Sequence, residues 1–523
     1  MNRSLVGALL IVIVVVIGAV GVKLLLPYFE SSQQRATSDA TKTKGKIVVA
    51  LDNWVGYFIL RSPEMESALR RSGYILVCED DQADYGRRMD RLKEGEIDFA
   101  VATVDSFILN AAPRSYPGAI VMVIDESKGG DAILARRERV AGLDALKGRT
   151  DVRVAFTPDS PSHHLAKAAA DHFSVPELLP QGKLRIETNG SQKALEKLLS
   201  GQTDVAILWE PDVSRALADK GVVKLLGTED TERLIVDILV AGRRTLQKKP
   251  EVVQLLINTY FRVLKKYRQD QELLGRHIQK ETDLPDATVA TMLKGVQWVN
   301  FSENCEKWFG ISAPGQFADE GLVDAIVASA HILQNAGDFS SSPIPDNDPY
   351  RLTNSGFLQT LFTKGLTGTF TTAGSGTAGA GAVNSLEAPF SPLNAQQWGA
   401  LKEVGTLKVD PIVFQQGATA LDLIAKKVVD QAVERLKHYP NFRIVVKGHT
   451  DVRGDEKLNK LLSRDRADAV ARYLQVVYNV DANRLRVLGL GGSEPLPQKA
   501  GETRRAWMYR LPRVELVLVR EDF

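Results

Sequence analysis

One polar motif near the C-terminus constrains the fold of this 523-residue chain more than any other segment. Residues 443–447 contain three consecutive β-branched apolar residues, Ile444 to Val446, and predict a β-strand, and Gly448-His449-Thr450-Asp451 follows it directly. About ten residues later, apolar side chains recur at three- and four-residue steps, which is typical of a helix that buries one stripe. We expect that stripe to consist of Leu458, Leu462, Val470, Leu474 and Val477.

The predicted strand and helix would present opposite charges at one edge of a sheet. Asp451 lies at the carboxyl end of the strand, while Asn459, Ser463 and Arg466 share a second helix stripe at steps of four and three. An Arg at such a place can bind a carboxylate with two parallel hydrogen bonds. The alternative is a solvated helix face that happens to carry an Arg.

The motif resembles the OmpA-like peptidoglycan-binding domain, whose hallmark is Gly-His-Thr-Asp, a nearby Gly, and Asn-x-x-Leu-Ser-x-x-Arg-Ala. Gly454 and the run 459–467 keep that spacing. The resemblance implies that Asp451 binds the ammonium of diaminopimelate and Arg466 its carboxylate, with Thr450 and Asn459 in the same site. One departure is Leu511-Pro512 where the family usually has Asn-Arg, which affects the second half of the binding rim.

The whole domain is predicted to cover residues 401–523 in a β-α-β-α-β order. The first strand is expected at Val409–Phe414 and the first helix over Thr419–Tyr439. Later strands are expected at Leu485–Gly489 and Val514–Leu518, with 489–492 as a turn.

The N-terminus predicts a membrane anchor. Leu5–Val22 carries no charge over eighteen residues, which is long enough for a transmembrane helix within residues 1–28. Arg3 precedes the run, so the N-terminus is expected inside and the bulk of the chain in the periplasm of a Gram-negative bacterium. A cleaved signal peptide is the alternative. A polar tether is expected over residues 29–44.

Residues 45–340 alternate short apolar strands with helical segments, which predicts a parallel α/β arrangement. The strands are expected at 46–51, 98–102, 120–124, 152–156 and 205–208. Open α/β sheets bind ligands beyond the carboxyl ends of their strands, so the residues that follow each strand are candidate ligand contacts.

These residues resemble the periplasmic substrate-binding proteins of ABC importers, in the nitrate, sulfonate, taurine and pyrimidine-precursor group. The resemblance rests on 127–131 (Ser-Lys-Gly-Gly-Asp), Trp209-Glu210-Pro211, and a Leu-x-x-Gly-x-x-Asp-like pattern at 92–98 and 199–204. It implies a two-lobed clamshell that closes on a small solute. The candidate solute contacts are Asn53, Trp54, Thr103, Ser127, Ser162, Trp209, Glu210 and Asp237. Carboxylates such as Asp105 and Asp131 could select an ammonium or amide group, or serve only inter-lobe hydrogen bonding.

Several functions are excluded or disfavoured by the sequence. A net charge of +2 and the lack of zinc-type Cys/His spacing give no argument for nucleic acid or metal. No nucleophile elbow, zincin pair or Walker loop appears, so we expect no catalytic residues, no cofactor and no enzyme activity. The two cysteines, Cys78 and Cys305, are left unassigned between free thiols and a disulfide.

Residues 341–400 contain a Gly-, Thr-, Ala- and Ser-rich stretch that predicts a flexible linker. The chain is therefore expected to be an inner-membrane-anchored solute receptor or scaffold that is tethered to peptidoglycan. The alternative is a component that delivers a small anion, sulfonate or pyrimidine-like solute to an ABC permease. An ion-driven stator subunit is disfavoured, because residues 5–26 hold no Asp or Glu.

Overall fold

The computed structural model describes residues 43–312, 317–363, 390–410, 412, 414 and 419–520. The predicted membrane span and most of the polar tether lie outside these residues. Among the residues described, no helix is both long and apolar enough to cross a membrane.

The strands of the described residues form three sheets. In chain order they are β1 (Gly45–Leu51), β2 (Tyr74–Asp80), β3 (Phe99–Thr103), β4 (Gly118–Ser127), β5 (Asp131–Arg136), β6 (Val154–Phe156), β7 (Arg185–Glu187), β8 (Val205–Trp209), β9 (Val222–Gly227), β10 (Val236–Gly242), β11 (Val296–Trp298), β12 (Lys402–Thr406), β13 (Arg443–His449), β14 (Leu485–Gly491) and β15 (Arg513–Arg520).

The α-helices connect and cover these sheets. They are α1 (Phe58–Arg61), α2 (Pro63–Arg71), α3 (Tyr85–Glu94), α4 (Val104–Ala111), α5 (Pro161–His172), α6 (Ser191–Leu199), α7 (Asp212–Leu217), α8 (Arg243–Lys248), α9 (Pro250–Gln269), α10 (Gln271–Thr282), α11 (Asp286–Lys294), α12 (Phe301–Glu303), α13 (Gly321–Asn335), α14 (Gly356–Thr363), α15 (Ala395–Ala400), α16 (Leu423–Leu436), α17 (Glu456–Tyr478) and α18 (Arg504–Arg510).

Two of the sheets form the two lobes of an α/β unit. Lobe 1 has the strand order β11-β4-β10-β3-β1-β2, and lobe 2 has the order β7-β6-β8-β5-β9. The chain passes from lobe 1 to lobe 2 between β4 and β5, and it returns between β9 and β10. The Ser127 and Thr228 hydroxyls, one on each crossover, lie 2.9 Å apart and join the two connections.

The prediction of a parallel arrangement holds only in part, because both lobes are mixed sheets. β10 runs antiparallel to its neighbours β3 and β4, and β5 runs antiparallel to β8 and β9. Every residue of β4 and β10 is buried. A strand that is buried on both faces reads as a continuous apolar run, and that pattern does not record the direction of the strand.

The linker predicted over 341–400 is shorter in the structure. Leu352, Leu358 and Leu361 are buried, and Asn354 donates its backbone N–H to the carbonyl of Ile120 in β4 at 2.8 Å. The segment 343–363 therefore packs on lobe 1. Phe390 packs under Arg443 of the C-terminal domain, with 5.0 Å from the guanidinium to the ring centre.

The C-terminal domain has the sheet order β12-β15-β13-β14. Its first strand is Lys402–Thr406 rather than Val409–Phe414, where the described residues form no strand. β12 lies at the sheet edge and pairs with β15 alone, so it needs few apolar side chains. The expected strands at 485–489 and 514–518 lie within β14 and β15, which run parallel and antiparallel to β13 respectively.

The buried stripe of α17 differs from the predicted one. Leu458 and Val477 are exposed, whereas Ser463, Arg466 and Ala467 are buried. Small residues face the sheet because α17 lies very close to it. A Cβ at Gly448 would stand 1.9 Å from the Ser463 carbonyl oxygen, and one at Gly489 would stand 2.4 Å from the Lys460 carbonyl oxygen. Two glycines thus permit the close packing of strand and helix.

The C-terminal domain packs directly on lobe 2. The Phe173 and Tyr439 rings meet edge to face at 5.2 Å, within one hydrophobic cluster that contains buried residues of both parts. Gly405 lies against Phe173, since a Cβ there would be 2.8 Å from the ring. Around this core, the backbone N–H of Thr406 donates to Asp144 at 3.1 Å, and Arg520 pairs with Asp230 at 3.1 Å.

Both cysteines are free thiols. Cys305 is buried and Cys78 is half-buried, and burial raises the pKa of each thiol to about 12. Neither is therefore a ready nucleophile at neutral pH.

Candidate functional sites

A cavity of about 730 Å³ lies between the two lobes. Lobe 1 contributes the residues that follow β1 and β2 together with Asp237 of β10. Lobe 2 contributes Asp131, the start of α5, and the residues that follow β8. Its walls are thus built at strand ends, where an α/β sheet leaves side chains free to contact a ligand.

Aromatic side chains line the cavity from both lobes. Trp54, Tyr57 and Tyr85 come from lobe 1, and Trp209 comes from lobe 2. The Trp54 indole N–H donates to the Asp125 carboxylate at 3.3 Å, and the Tyr57 hydroxyl donates to Asp237. These bonds fix the orientation of two rings, so part of the lobe 1 wall is preformed.

Buried carboxylates lie in the lining of the cavity and directly behind it. Asp131 accepts the hydroxyls of Ser162 at 2.7 Å and Ser127 at 2.8 Å. Burial raises the pKa of Asp131 to about 6 and that of Asp125 to about 7. Burial also raises the pKa of Asp237 well above its ordinary value, and the nearby Asp125 charge raises it further. Burial thus makes the ionised form of each of these carboxylates costly unless a cation lies beside it.

The structure separates the eight predicted solute contacts into two groups. Five of them line the cavity: Asn53, Trp54, Trp209, Glu210 and Asp237. The other three are buried outside the lining. Thr103 caps α4 with its hydroxyl 2.8 Å from that of Ser106, while Ser127 and Ser162 hold Asp131.

Sequence reasoning missed many of the lining residues, among them Asp52 and Tyr85. Asp52 follows β1 directly, so its position was a usable signal. Tyr85 begins α3, after β2, and its ring packs under Arg88 with 4.8 Å from the guanidinium to the ring centre. Arg88 is fully buried and joins Asp52 to Asp81. Nothing in the local sequence pattern indicates a buried Arg on α3.

The second candidate site lies at the carboxyl end of β13. Thr450 is buried and donates its hydroxyl to the Asp451 carbonyl at 3.0 Å. Asp451 accepts the backbone N–H of Arg453 at 2.9 Å and the Arg453 guanidinium at 2.7 Å. Asn459 donates to the Arg453 carbonyl at 2.7 Å, which ties the loop to the first turn of α17. Burial raises the pKa of Asp451, but the Arg453 bonds outweigh it and hold the pKa below its ordinary value.

Arg466 lies two turns further along α17. Its guanidinium stacks over the Phe414 ring at 5.1 Å, and the residue is 7% exposed. Burial lowers its pKa. Ser463, on the same helix, receives the Gly491 N–H at 2.9 Å and so ties α17 to β14. The residues predicted to bind peptidoglycan therefore lie at one end of the sheet, and Asp451 is hydrogen-bonded to Arg453.

At Leu511-Pro512 the sequence departs from the family pattern, and other side chains make contacts there. Leu511 is fully buried, and Arg513 pairs with Glu515 at 2.6 Å on β15. Arg513 is the register partner of His449, so a cation still stands beside the end of β13.

The lobed part thus consists of two α/β lobes that are joined by two crossovers around one cleft. The model of the OmpA family matches residues 413–507, so the chain carries an OmpA-family domain at its C-terminus. That domain contains both the strand β13 and the helix α17 with their polar residues.

Relatives match this C-terminal part. Outer membrane protein Omp38 of Acinetobacter baumannii is 37% identical over 86 residues, which is 16% of this chain and 24% of that protein. The peptidoglycan-associated lipoprotein of Rhizobium meliloti is 34% identical over 87 residues, or 17% of this chain and 49% of that protein. The chain thus spans about a quarter to a half of these relatives.

A solved structure is similar to the lobed part. The periplasmic aliphatic sulphonate binding protein SsuA from Escherichia coli matches 57% of this chain and 89% of its own chain. The sequence identity is 17% and the TM-score is 0.44. Within the described part of this chain, no cluster of three or more His, Cys, Asp or Glu side chains is arranged to hold a metal ion.

Proposed function

We propose that the protein is a solute receptor of the bacterial envelope that binds peptidoglycan through its C-terminal domain. A small solute would occupy the inter-lobe cavity, and diaminopimelate of the wall would bind at the end of β13. The single observation that carries the proposal is the preformed, aromatic-lined cavity in a unit whose lobe 2 packs on the OmpA-family domain. A cavity of this size and lining suits a small organic ligand.

The wall site is proposed to act by charge complementarity. Asp451 would receive the diaminopimelate ammonium, and Arg466 would bind its carboxylate. Thr450 and Asn459 would position these two side chains, because they fix the loop between β13 and α17. The segment 5–22 would anchor the chain in the inner membrane and leave the lobes in the periplasm. We assign the chain no catalytic residues.

Two binding assays on the full-length, detergent-solubilised chain test the proposal. In the first, purified peptidoglycan sacculi should retain the parent protein and lose Asp451→Asn and Arg466→Gln. Arg472→Gln, at an exposed position of α17, is the matched control and should be retained. Equal retention of the site variants and the control would overturn the wall-binding role.

The second assay is a thermal-shift screen with small solutes, since a ligand of the folded state raises the melting temperature. A hit should disappear in Trp54→Ala and Trp209→Ala. No hit from any chemical class would overturn the receptor role. A permease that co-purifies with the protein would instead assign it to solute delivery.

A further inference from the structure

The inter-lobe cavity carries an excess of negative charge. Eight acidic residues line it: Asp52, Asp80, Asp131, Glu196, Glu210, Asp212, Asp237 and Glu281. Two basic residues, Lys193 and Arg215, stand against them among the described lining residues. Arg215 pairs with Asp212 at 2.9 Å, so its charge is already matched within the wall. The excess therefore remains after the internal ion pairs are counted.

The acids differ in how they are neutralised. Asp52 pairs with Arg88 at 3.2 Å, and Glu281 pairs with Arg61 at 2.6 Å. Asp131, Glu210 and Asp237 instead receive hydroxyl groups, from Ser162 and Ser127, from Ser214, and from Tyr57. A hydroxyl bond leaves the negative charge of a carboxylate in place. Two of these three acids come from lobe 2 and one from lobe 1.

Asp237 has no ion-pair partner among the described residues. It is 2% exposed and lines the cavity, with Tyr57 bonded to its Oδ1. The neighbouring Asp125 is fully buried, and its own Oδ2 has no hydrogen-bond partner among the described residues. A buried carboxylate without a countercharge is costly, and a bound cation would remove that cost.

The first turn of α5 lies beside a carboxylate of the cavity lining. The first turn of a helix attracts anions through its free N–H groups and its dipole. At the first turn of α5, the Ser162 hydroxyl donates to Asp131 at 2.7 Å. Asp131 lines the cavity beside this helix end, so its carboxylate would repel an anionic ligand.

The aromatic walls complement this charge. Trp54 and Trp209 face the cavity from opposite lobes, and Tyr57 and Tyr85 add two further rings. The face of an aromatic ring attracts cations, most strongly when the pair is shielded from water. Closure of the lobes would supply that shielding.

We infer that the cavity binds an organic cation, an amine or quaternary ammonium compound, between its aromatic walls and the carboxylates of Asp131, Glu210 and Asp237. The inference rests on the proposed receptor function and names its ligand class. It predicts that the cavity rejects sulfonates and other anions of the same size.

Calorimetric titration of the full-length protein tests the inference with pairs of equal shape and different charge. Choline is compared with 3,3-dimethylbutan-1-ol, putrescine with 1,4-butanediol, and propanesulfonate serves as the anion. At least one cation should bind about ten-fold more tightly than its neutral partner. Equal binding within both pairs, or binding of propanesulfonate alone, would overturn the inference and leave the receptor function standing. No binding by any probe, together with a negative solute screen, would overturn both.

Variants locate the binding charge. Asp131→Asn and Asp237→Asn keep the size of the side chain and one oxygen acceptor but remove a carboxylate charge. Each should weaken cation binding about ten-fold or more, with an unchanged far-ultraviolet spectrum. Asp219→Asn removes the same charge from an exposed position of lobe 2 outside the lining, and it should bind like the parent. If all three variants bind the cation equally, the carboxylates do not form the site and the inference fails.

Discussion

His172 of lobe 2 and Tyr439 of the OmpA-family domain are joined by a hydrogen bond, with the imidazole Nδ1 2.8 Å from the phenol oxygen. The two residues are 267 positions apart in sequence, and both are buried. The His172 ring also stacks on His438 at 5.6 Å, whose Nδ1 lies 2.9 Å from the Glu232 carbonyl oxygen. This polar group lies within the apolar contact between the two parts, so its bonds matter for their association.

Removal of the Tyr439 hydroxyl should weaken that association. Tyr439→Phe leaves the buried His172 nitrogen without its partner, which costs about 1–3 kcal/mol of the free energy of unfolding. Urea unfolding followed by tryptophan fluorescence measures the change. Tyr509→Phe, at an exposed position of the same domain, is the control and should stay within about 0.5 kcal/mol of the parent. Equal stability of the two variants would show that the bond contributes nothing.

The same histidines should make stability depend on pH. Burial, and then the nearby His438, lowers the pKa of His172 well below its ordinary value of 6.5, and burial lowers the pKa of His438. The unfolded chain then binds more protons than the folded one below pH 6.5. Stability is full above that pH and falls as the pH decreases, by up to about 1.4 kcal/mol per pH unit for each histidine.

Urea unfolding between pH 5 and 7.5 measures this slope. His172→Asn places an amide near the Nδ1 position and cannot titrate, so it should show a shallower loss of stability below pH 6.5 than the parent. The exposed His331→Asn should leave the slope unchanged. Buried carboxylates with raised pKa values, such as Asp131, act in the opposite direction, and the difference between variant and parent cancels them. Parallel slopes for His172→Asn and the parent would contradict the prediction.

The close packing of β13 against α17 should not tolerate a side chain at Gly448. Gly448→Ala places a Cβ on the Ser463 backbone, and overpacking of this kind costs about 1–3 kcal/mol. Thermal unfolding should show a lower melting temperature and sacculus binding should weaken, because α17 carries Asn459 and Arg466. Gly399→Ala, where a Cβ meets no atom within 4 Å, is the control. A melting temperature for Gly448→Ala equal to that of the control would rule out the steric role.

Arg453 should compete with the wall ligand for Asp451. Its guanidinium lies 2.7 Å from the carboxylate that we propose for the diaminopimelate ammonium. Arg453 is 70% exposed, and exposed ion pairs contribute about 0–1 kcal/mol. Arg453→Ala should therefore raise retention on sacculi by up to about five-fold. Arg472→Ala should leave it unchanged, and weaker retention of Arg453→Ala would show that Arg453 helps to bind the wall.

Local patterns predicted much of the fold, and long-range pairing explains the errors. Gly448 to Ala467 was placed correctly as strand, loop and helix, because alternation, glycine and helical spacing are local signals. The strand Lys402–Thr406 was missed, because an edge strand with a single strongly apolar side chain, Val404, carries little alternation. The inner face of α17 was misassigned, because Ser463 and Ala467 face the sheet only where glycines let the helix approach it.

The residues of the inter-lobe cavity were likewise predicted only in part. A position directly after a strand identified Trp54, Trp209 and Glu210 as cavity residues, since strand ends in an α/β sheet point at the ligand. The same rule predicted that Ser127 and Ser162 contact the ligand, but both lie outside the cavity lining. They lie behind Asp131 and hold it, and a sequence does not record which of two neighbouring polar residues reaches the cavity.

The contact between Phe173 and Tyr439 would make the proposed attachment of the protein to peptidoglycan asymmetric. The OmpA-family domain shares a core with lobe 2, whereas the chain enters lobe 1 through β1. Bound peptidoglycan would therefore hold lobe 2 in place, and lobe 1 would be the lobe that moves on closure. Binding of the ligand would then change the distance between lobe 1 and the peptidoglycan. A partner near lobe 1 could sense that displacement.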